Sequence, residues 1–405
     1  MENRQKNRQK CAIMVSESTA LMEPMMPALG NRELEDMAME LAKKGSALAA
    51  TIHPIVRRSV GQLVRSMNCY YSNLIEGHDT HPRDIDKALS DDFSKDPTQR
   101  SLQLEAKAHI EVQGLIDEGH APATKPSIAF MRWAHNEFCM RLPEELLWVT
   151  NPDTGEKLKI APGEFREREV SVGQHRPPLA ENLETFMHRF EEAYDPSRLS
   201  QVQQVIAIAA SHHRLVWIHP FLDGNGRVAR LFSHAWLLET GIGSSLWSVS
   251  RGLARNIEEY KARLMAADRP RKGDLDGRGN LSHEELINFC RFFLRTAMDQ
   301  IDFMTDLIDT DNLLARMNIH VQEEIALKRM PKGSFNLLRE AWLIGEFKRG
   351  QAAEITGYKE RAAREALAAL LAKGYLVSDN ERGPVRLGFP LEVVERWLPK
   401  LYPAY

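Results

Sequence analysis

Apolar residues recur at helical spacing along most of the chain. Leu34, Met37, Ala38 and Leu41 follow an i, i+3, i+4, i+7 pattern, which predicts one amphipathic helix. Val60, Leu63, Val64, Met67, Tyr71, Leu74 and Ile75 predict a second, and Glu76-Gly77 supplies its stop. Similar stretches cover roughly 98–118, 126–141, 179–194, 200–217, 227–240, 252–267 and 282–327. One departure precedes residue 330. Leu146-Leu147-Trp148-Val149 is followed by a turn-like Asn151-Pro152-Asp153-Thr154-Gly155, then by an extended run ending at Val170-Ser171-Val172-Gly173. This predicts a small hairpin or flap. Residues 1–30 have no clear period and are expected to be loose; the tandem NRQK at 3–10 is too short to be a structural repeat.

The pattern changes after Pro331. Helical stretches at 334–345, 350–356 and 359–373 are followed by Gly374 and two extended runs, Tyr375–Ser378 and Val385–Phe389. Three helices and a hairpin are the order of a winged helix-turn-helix. Lys359, Arg361 and Arg364 on the third helix, with Arg382 and Arg386 on the hairpin, suit DNA docking. Glu354, Glu360, Glu365 and Glu381 dilute that charge, and such modules also dock proteins or form dimers. DNA and a second copy of the chain are both carried as partners. The expected organisation is a flexible 1–30, an N-terminal helical region at 31–125, a helical core at 126–330 and the winged helix at 331–405.

Composition narrows the function classes. At 405 residues the chain accommodates two or three domains. Hydrophobic residues make up 43% and charged residues 27%, which excludes a disordered chain. Fifty-three basic against 56 acidic residues give a net charge of −3, which excludes coating nucleic acid by bulk charge. Cys11, Cys69, Cys139 and Cys290 have neither metal-knuckle spacing nor the density of a disulfide framework, so a reducing cytoplasm is expected. Ser16, Glu17, Glu23 and Pro24 break the stretch that a signal peptide would need, and no run is long and apolar enough to span a membrane.

The chemistry concentrates in His219-Pro220-Phe221-Leu222-Asp223-Gly224-Asn225-Gly226-Arg227-Val228-Ala229-Arg230. Gly224-Asn225-Gly226 lets the backbone turn tightly with successive N–H groups on one side, forming an anion nest. A helix begins directly after it, so orphan N–H groups and the macrodipole add to the attraction for an anion. Arg227 and Arg230 are three apart and share a helical face. Two guanidiniums beside a nest suit a polyphosphate better than a single carboxylate. Asp223 lies just ahead of the nest, where one carboxylate holds Mg²⁺ against phosphate oxygens. His219 ends the preceding apolar helix and is a candidate general base. The segment is not a Walker A loop, since Gly-x-x-x-x-Gly-Lys-Ser/Thr does not occur here.

This segment resembles the Fic family, matching every position of the signature H-x-F-x-D/E-G-N-G-R-x-x-R, and the resemblance extends over roughly 60–295. It implies a mainly α fold: a Fic (fido) helical core with a small β-hairpin flap, here followed by the winged helix. It also implies transfer of AMP from ATP to a hydroxyl of a protein target, possibly the chain itself, with Mg²⁺ as cofactor. In that reading His219 deprotonates a Ser, Thr or Tyr hydroxyl and Phe221 is a buried anchor. Asp223 holds the metal, and Gly224, Asn225 and Gly226 form the anion hole. Arg227 neutralises the phosphates and Arg230 holds the γ-phosphate.

Ser72-Asn73-Leu74-Ile75-Glu76-Gly77 resembles the family's inhibitory motif, S/T-x-x-x-E-G/N. The resemblance implies that Glu76 pairs with Arg230 while Ser72 fixes the helix, which Gly77 ends. Val170, Ser171 and Val172 stand where the family's flap docks its target by strand addition. Tyr260, with Asn256 upstream, stands where the family builds its base pocket. Alternative uses of the same site are removal of AMP, another nucleotide or phospho-transfer, and nucleotide sensing by a DNA-binding regulator. The segment from Asp274 to Glu285 nearly spells a calcium loop, but Arg278 fills a ligand position. The better reading is the family's D-G-R-G-x-L-S turn, with Ser282 capping the next helix and Glu285 as its N3 partner.

Overall fold

The computed structural model describes residues 17–122, 125–151 and 154–402. Five helices come first: α1 (Arg32–Ala50), α2 (Pro54–Ile75), α3 (Pro82–Leu89), α4 (Pro97–Asp117) and α5 (Ile128–Cys139). A two-stranded antiparallel hairpin follows, β1 (Trp148–Thr150) with β2 (Lys157–Lys159). Next come α6 (Leu183–Ala193), α7 (Gln201–Ile218), α8 (Asn225–Glu239), α9 (Val249–Arg255), α10 (Ile257–Ala267), α11 (His283–Leu307) and α12 (Thr310–Ala326). The C-terminal elements are α13 (Ser334–Ile344), β3 (Glu346–Phe347), α14 (Ala352–Thr356), α15 (Glu360–Ala372), β4 (Leu376–Val377), β5 (Val385–Leu387) and α16 (Leu391–Trp397). Among the described residues no helix is long and apolar enough to cross a membrane.

Side-chain caps set many of the helix starts. Asn31, Asp96, Ser127, Ser282 and Asp309 each accept the N–H of the third residue on, and Ser200 with Gln203 forms a full capping box. The centre of the molecule is α7 against α8. Both are buried along most of their length, and α11 packs across α1, α7, α9 and α10. Helices apolar on most sides belong in the middle of a fold, and the joint between these two carries the signature segment.

Several boundaries differ from the periodicity. The expected helix 282–327 is two helices, because Asp309 caps a new start at Thr310 by accepting the Asn312 N–H. The stretch 252–267 also divides, at Asn256. The hairpin pairs 148–150 with 157–159, not with 170–173. There Val172 makes only an isolated bridge to His175 around Gly173. Residues 17–30 are not loose. Met22 and Met25 are buried, Tyr194 donates its hydroxyl to the Met25 carbonyl at 2.7 Å, and Glu23 pairs with Arg189. Residues 1–16, Cys11 among them, lie outside the described residues. Helices α3 and α16 and strand β3 carried too little periodic signal to be foreseen.

The C-terminal elements form a three-stranded antiparallel sheet in the order β3-β5-β4, with α13, α14 and α15 packed together beside it. They rest on α2. Tyr71 donates its hydroxyl to the Leu401 carbonyl at 3.2 Å, and the Tyr70 and Tyr402 rings meet edge to face at 5.7 Å. Arg251 donates to the Lys400 carbonyl at 2.8 Å and lies over the Tyr71 ring. Leu401 and Tyr402 are buried by these contacts.

Candidate phosphate site

Helix α7 stops at His219, whose backbone is left-handed (φ 51°), and α8 starts after Gly224, also left-handed (φ 79°). The intervening loop is fixed from three sides. Phe221 is fully buried and stacks on His135 of α5, ring centres 4.0 Å apart and nearly parallel. Asn225 closes the loop on itself: its Oδ1 accepts the Phe221 N–H at 2.9 Å and its side-chain amide donates to the Phe221 carbonyl at 2.8 Å. Buried Arg166 donates its Nε to the His219 carbonyl at 2.9 Å and its backbone N–H to the Pro220 carbonyl at 2.9 Å. Asn225 therefore shapes the nest through its side chain and leaves the space over the helix N-terminus free.

Glu76 fills that space. Its carboxylate accepts from Arg230 Nη2 at 2.5 Å, while Arg230 Nε donates to Ser72 Oγ at 2.9 Å and Nη2 to the Ser72 carbonyl at 3.2 Å. Any side chain at Gly226 would collide with the Glu76 carboxylate, so glycine here admits an anion into the nest. Burial raises the Glu76 pKa, but the charges of Arg230 and Arg227 outweigh it and hold the carboxyl below the usual range. Glu76 is thus an intramolecular anion in the nest. Gly77, left-handed at φ 84°, ends α2 directly behind it.

Arg227 sits in a second ion pair. Its Nη2 donates to Glu105 Oε2 of α4 at 2.7 Å, and its guanidinium lies 5.0 Å from the centre of the Phe138 ring. His78 Nδ1 also lies 2.8 Å from Glu105 Oε2, and its hydrogen bond to that carboxylate raises the His78 pKa.

His219 is half-buried, and its Nδ1 has no hydrogen-bond partner. Burial, reinforced by the positive charge of Arg166, pushes its pKa down to about 4, so the imidazole is neutral at pH 7 and able to accept a proton. Asp223 is exposed and makes no ion pair or side-chain hydrogen bond. Among the described residues no cluster of three metal-ligating side chains exists. Asp223 offers the loop from His219 to Gly224 its single carboxylate, so a hard cation held there would need phosphate oxygens and water as its remaining ligands, as Mg²⁺ prefers.

The structure brings His219, Asp223, Gly224, Asn225, Gly226, Arg227, Arg230, Ser72, Glu76 and Gly77 to one place. Tyr260 lies behind them, buried, with its hydroxyl 2.8 Å from His212 Nε2. Burial raises its pKa to about 12. Through His212 of α7, whose Nδ1 lies 2.8 Å from Ser233 Oγ, it is linked to α8. Asn256 donates its side-chain amide to the Gly252 carbonyl and caps α9. Val170 is half-buried, and Ser171 and Val172 are exposed beside the bridge to His175. Glu105, His78, Arg166 and His135 were not foreseen. Only spacing on α4, where Glu105 and His109 lie one turn apart on the face toward α8, hinted at the first.

A helix-terminal anion nest, a neutral histidine, an exposed carboxylate and two arginines thus meet at the joint of two central helices of a mainly helical protein. The Fic/DOC family model matches residues 134–237, so the chain carries a Fic/DOC domain. Protein adenylyltransferase Fic of Drosophila erecta is 43% identical over 82 residues, which are 20% of this chain and 17% of that protein. The Drosophila willistoni protein of the same name is 43% identical over 82 residues, 16% of its length. The match spans about a sixth of the length of these curated relatives. The solved structure of Fic-1 (aa134–508) from C. elegans superposes with a TM-score of 0.52 at 16% identity, covering 69% of this chain and 74% of that one. This shows the Fic fold: mainly helical, with a small two-stranded antiparallel sheet.

Proposed function

We propose that the chain is a protein adenylyltransferase, held at rest by Glu76. Glu76 carries this reading, because its carboxylate lies in the anion nest on Arg230, where a nucleotide phosphate would otherwise bind. The matched relatives are named as adenylyltransferases over the same segment. Asp223 would hold Mg²⁺, which when bound neutralises phosphate charge. The target's Ser, Thr or Tyr hydroxyl gives its proton to His219 as its oxygen bonds to the α-phosphorus. The bond from that phosphorus to the bridging oxygen breaks, and pyrophosphate leaves. The N–H groups at the start of α8 and the two arginines stabilise the charge that builds on the phosphates. Ser171 and Val172 offer an exposed edge for the target segment.

The C-terminal order α13-β3-α14-α15-β4-β5 with sheet order β3-β5-β4 supports a winged helix. Lys359, just before α15, and Arg361 and Arg364 on it are exposed, but Arg364 pairs with Glu360 and Arg386 with Asp379, which weakens a DNA face. The test of the reaction is product analysis of Glu76→Gly with Mg²⁺ and ATP. AMP bound to protein and pyrophosphate released in equal amounts are expected. Phosphoprotein with ADP would contradict the assignment.

A further inference from the structure

Arg227 and Arg230 are restrained in different ways. Arg230 is occupied at Nε and Nη2 by Ser72 of α2 and by Glu76, which caps that helix. Arg227 is held from the other side. It is buried, its face lies on Phe138, and Glu105 of α4 takes its Nη2 at 2.7 Å. Its Nε is buried and has no partner.

Glu105 is itself tightly placed. Its side chain is 15% exposed and accepts from both Arg227 and His78. Burial raises its pKa, but His78 and Arg227 more than compensate and keep it ionised. It belongs neither to the signature segment nor to the Ser72–Gly77 motif.

We infer that Glu105 is a positioning residue for nucleotide phosphate: with Phe138 it fixes the Arg227 guanidinium beside the nest, where its charge meets a bound phosphate. This rests on the nucleotide reading above. The physical reason is preorganisation. A guanidinium already fixed in place loses little freedom when the phosphate arrives, and its hydrogen bond is stronger for being buried.

The test is made in the Glu76→Gly chain, comparing Glu105, Glu105→Gln and Glu105→Ala. The affinities of Mg²⁺–ATP and of adenosine, which lacks phosphate, are measured by ligand-observed NMR, with thermal melts as a fold check. Glu105→Ala is expected to weaken ATP by about tenfold or more and to leave adenosine within about twofold. Glu105→Gln, which keeps an acceptor oxygen on Arg227, is expected to retain most of the ATP affinity. Equal or tighter ATP binding by Glu105→Ala would overturn the inference, since Glu105 would then compete with phosphate. Parallel loss of ATP and adenosine would also overturn it, by showing a merely structural role. Failure of the Glu76→Gly parent itself to bind ATP would remove the nucleotide reading, and that outcome is visible before any Glu105 variant is compared.

Discussion

At the residue scale, the decisive features are charges and protons held away from their solution behaviour. His219 ends a buried helix with Arg166 against its carbonyl, and its pKa falls to about 4. A base of that pKa is deprotonated throughout the neutral range, so its protonation state does not limit the reaction until the pH nears 4. In Glu76→Gly, AMP transfer should persist as the pH is lowered through 6.5 and be lost only as it approaches 4. The pH profile of kcat/KM checks this, and an acidic limb near 6.5 would contradict the burial argument. His219→Ala should lower transfer by about 10²–10⁴-fold, the usual contribution of a general base, and leave ATP binding unchanged.

At the element scale, side-chain caps placed the joints that periodicity blurred. The amphipathic stripe from Leu286 to Val321 continues through the α11–α12 boundary, so hydrophobicity alone reads it as one helix. Asp309 capping Asn312 starts the second helix, a local polar signal that the stripe outweighs. Strand pairing was harder still. Val170–Val172 carries two valines and so draws the strand reading away from the true partner of Trp148–Thr150, the Lys-Leu-Lys run at 157–159, whose lysines hide it. The signature was legible for the opposite reason: nest, arginines, carboxylate and histidine lie within twelve consecutive residues. Glu105 was not, because it reaches Arg227 across 122 residues. The calcium-like loop shows the same local logic. Asp276 accepts the backbone N–H groups of Lys272 and Glu284, and Ser282 caps α11 by accepting from Glu285. Ser282→Ala should destabilise the fold by about 1 kcal/mol, the usual worth of an N-cap, as read from denaturant melts. Added Ca²⁺ should not change the wild-type melt.

At the scale of the whole molecule, α2 lies between two bodies of structure. Ser72 and Glu76 hold Arg230 of the central helix pair, while Tyr70 and Tyr71, just before them, hold Leu401 and Tyr402 beyond α16. The same helix that presents a carboxylate to the anion nest is thus packed against the C-terminal elements. Its resting position is set by contacts from far ends of the sequence. Among the described residues, the Glu76 carboxylate is the group that lies against Gly226 and Arg230 in the nest.

The most direct measurement is transfer of α-³²P label from Mg²⁺–ATP to protein by the wild type, Glu76→Gly and Glu76→Gly/His219→Ala. Glu76→Gly should label protein at least about tenfold faster than the wild type, the effect of about 1.4 kcal/mol of relieved competition. The double variant should lose that label. Equal labelling by wild type and Glu76→Gly, with both folded, would show that Glu76 does not hold the site closed.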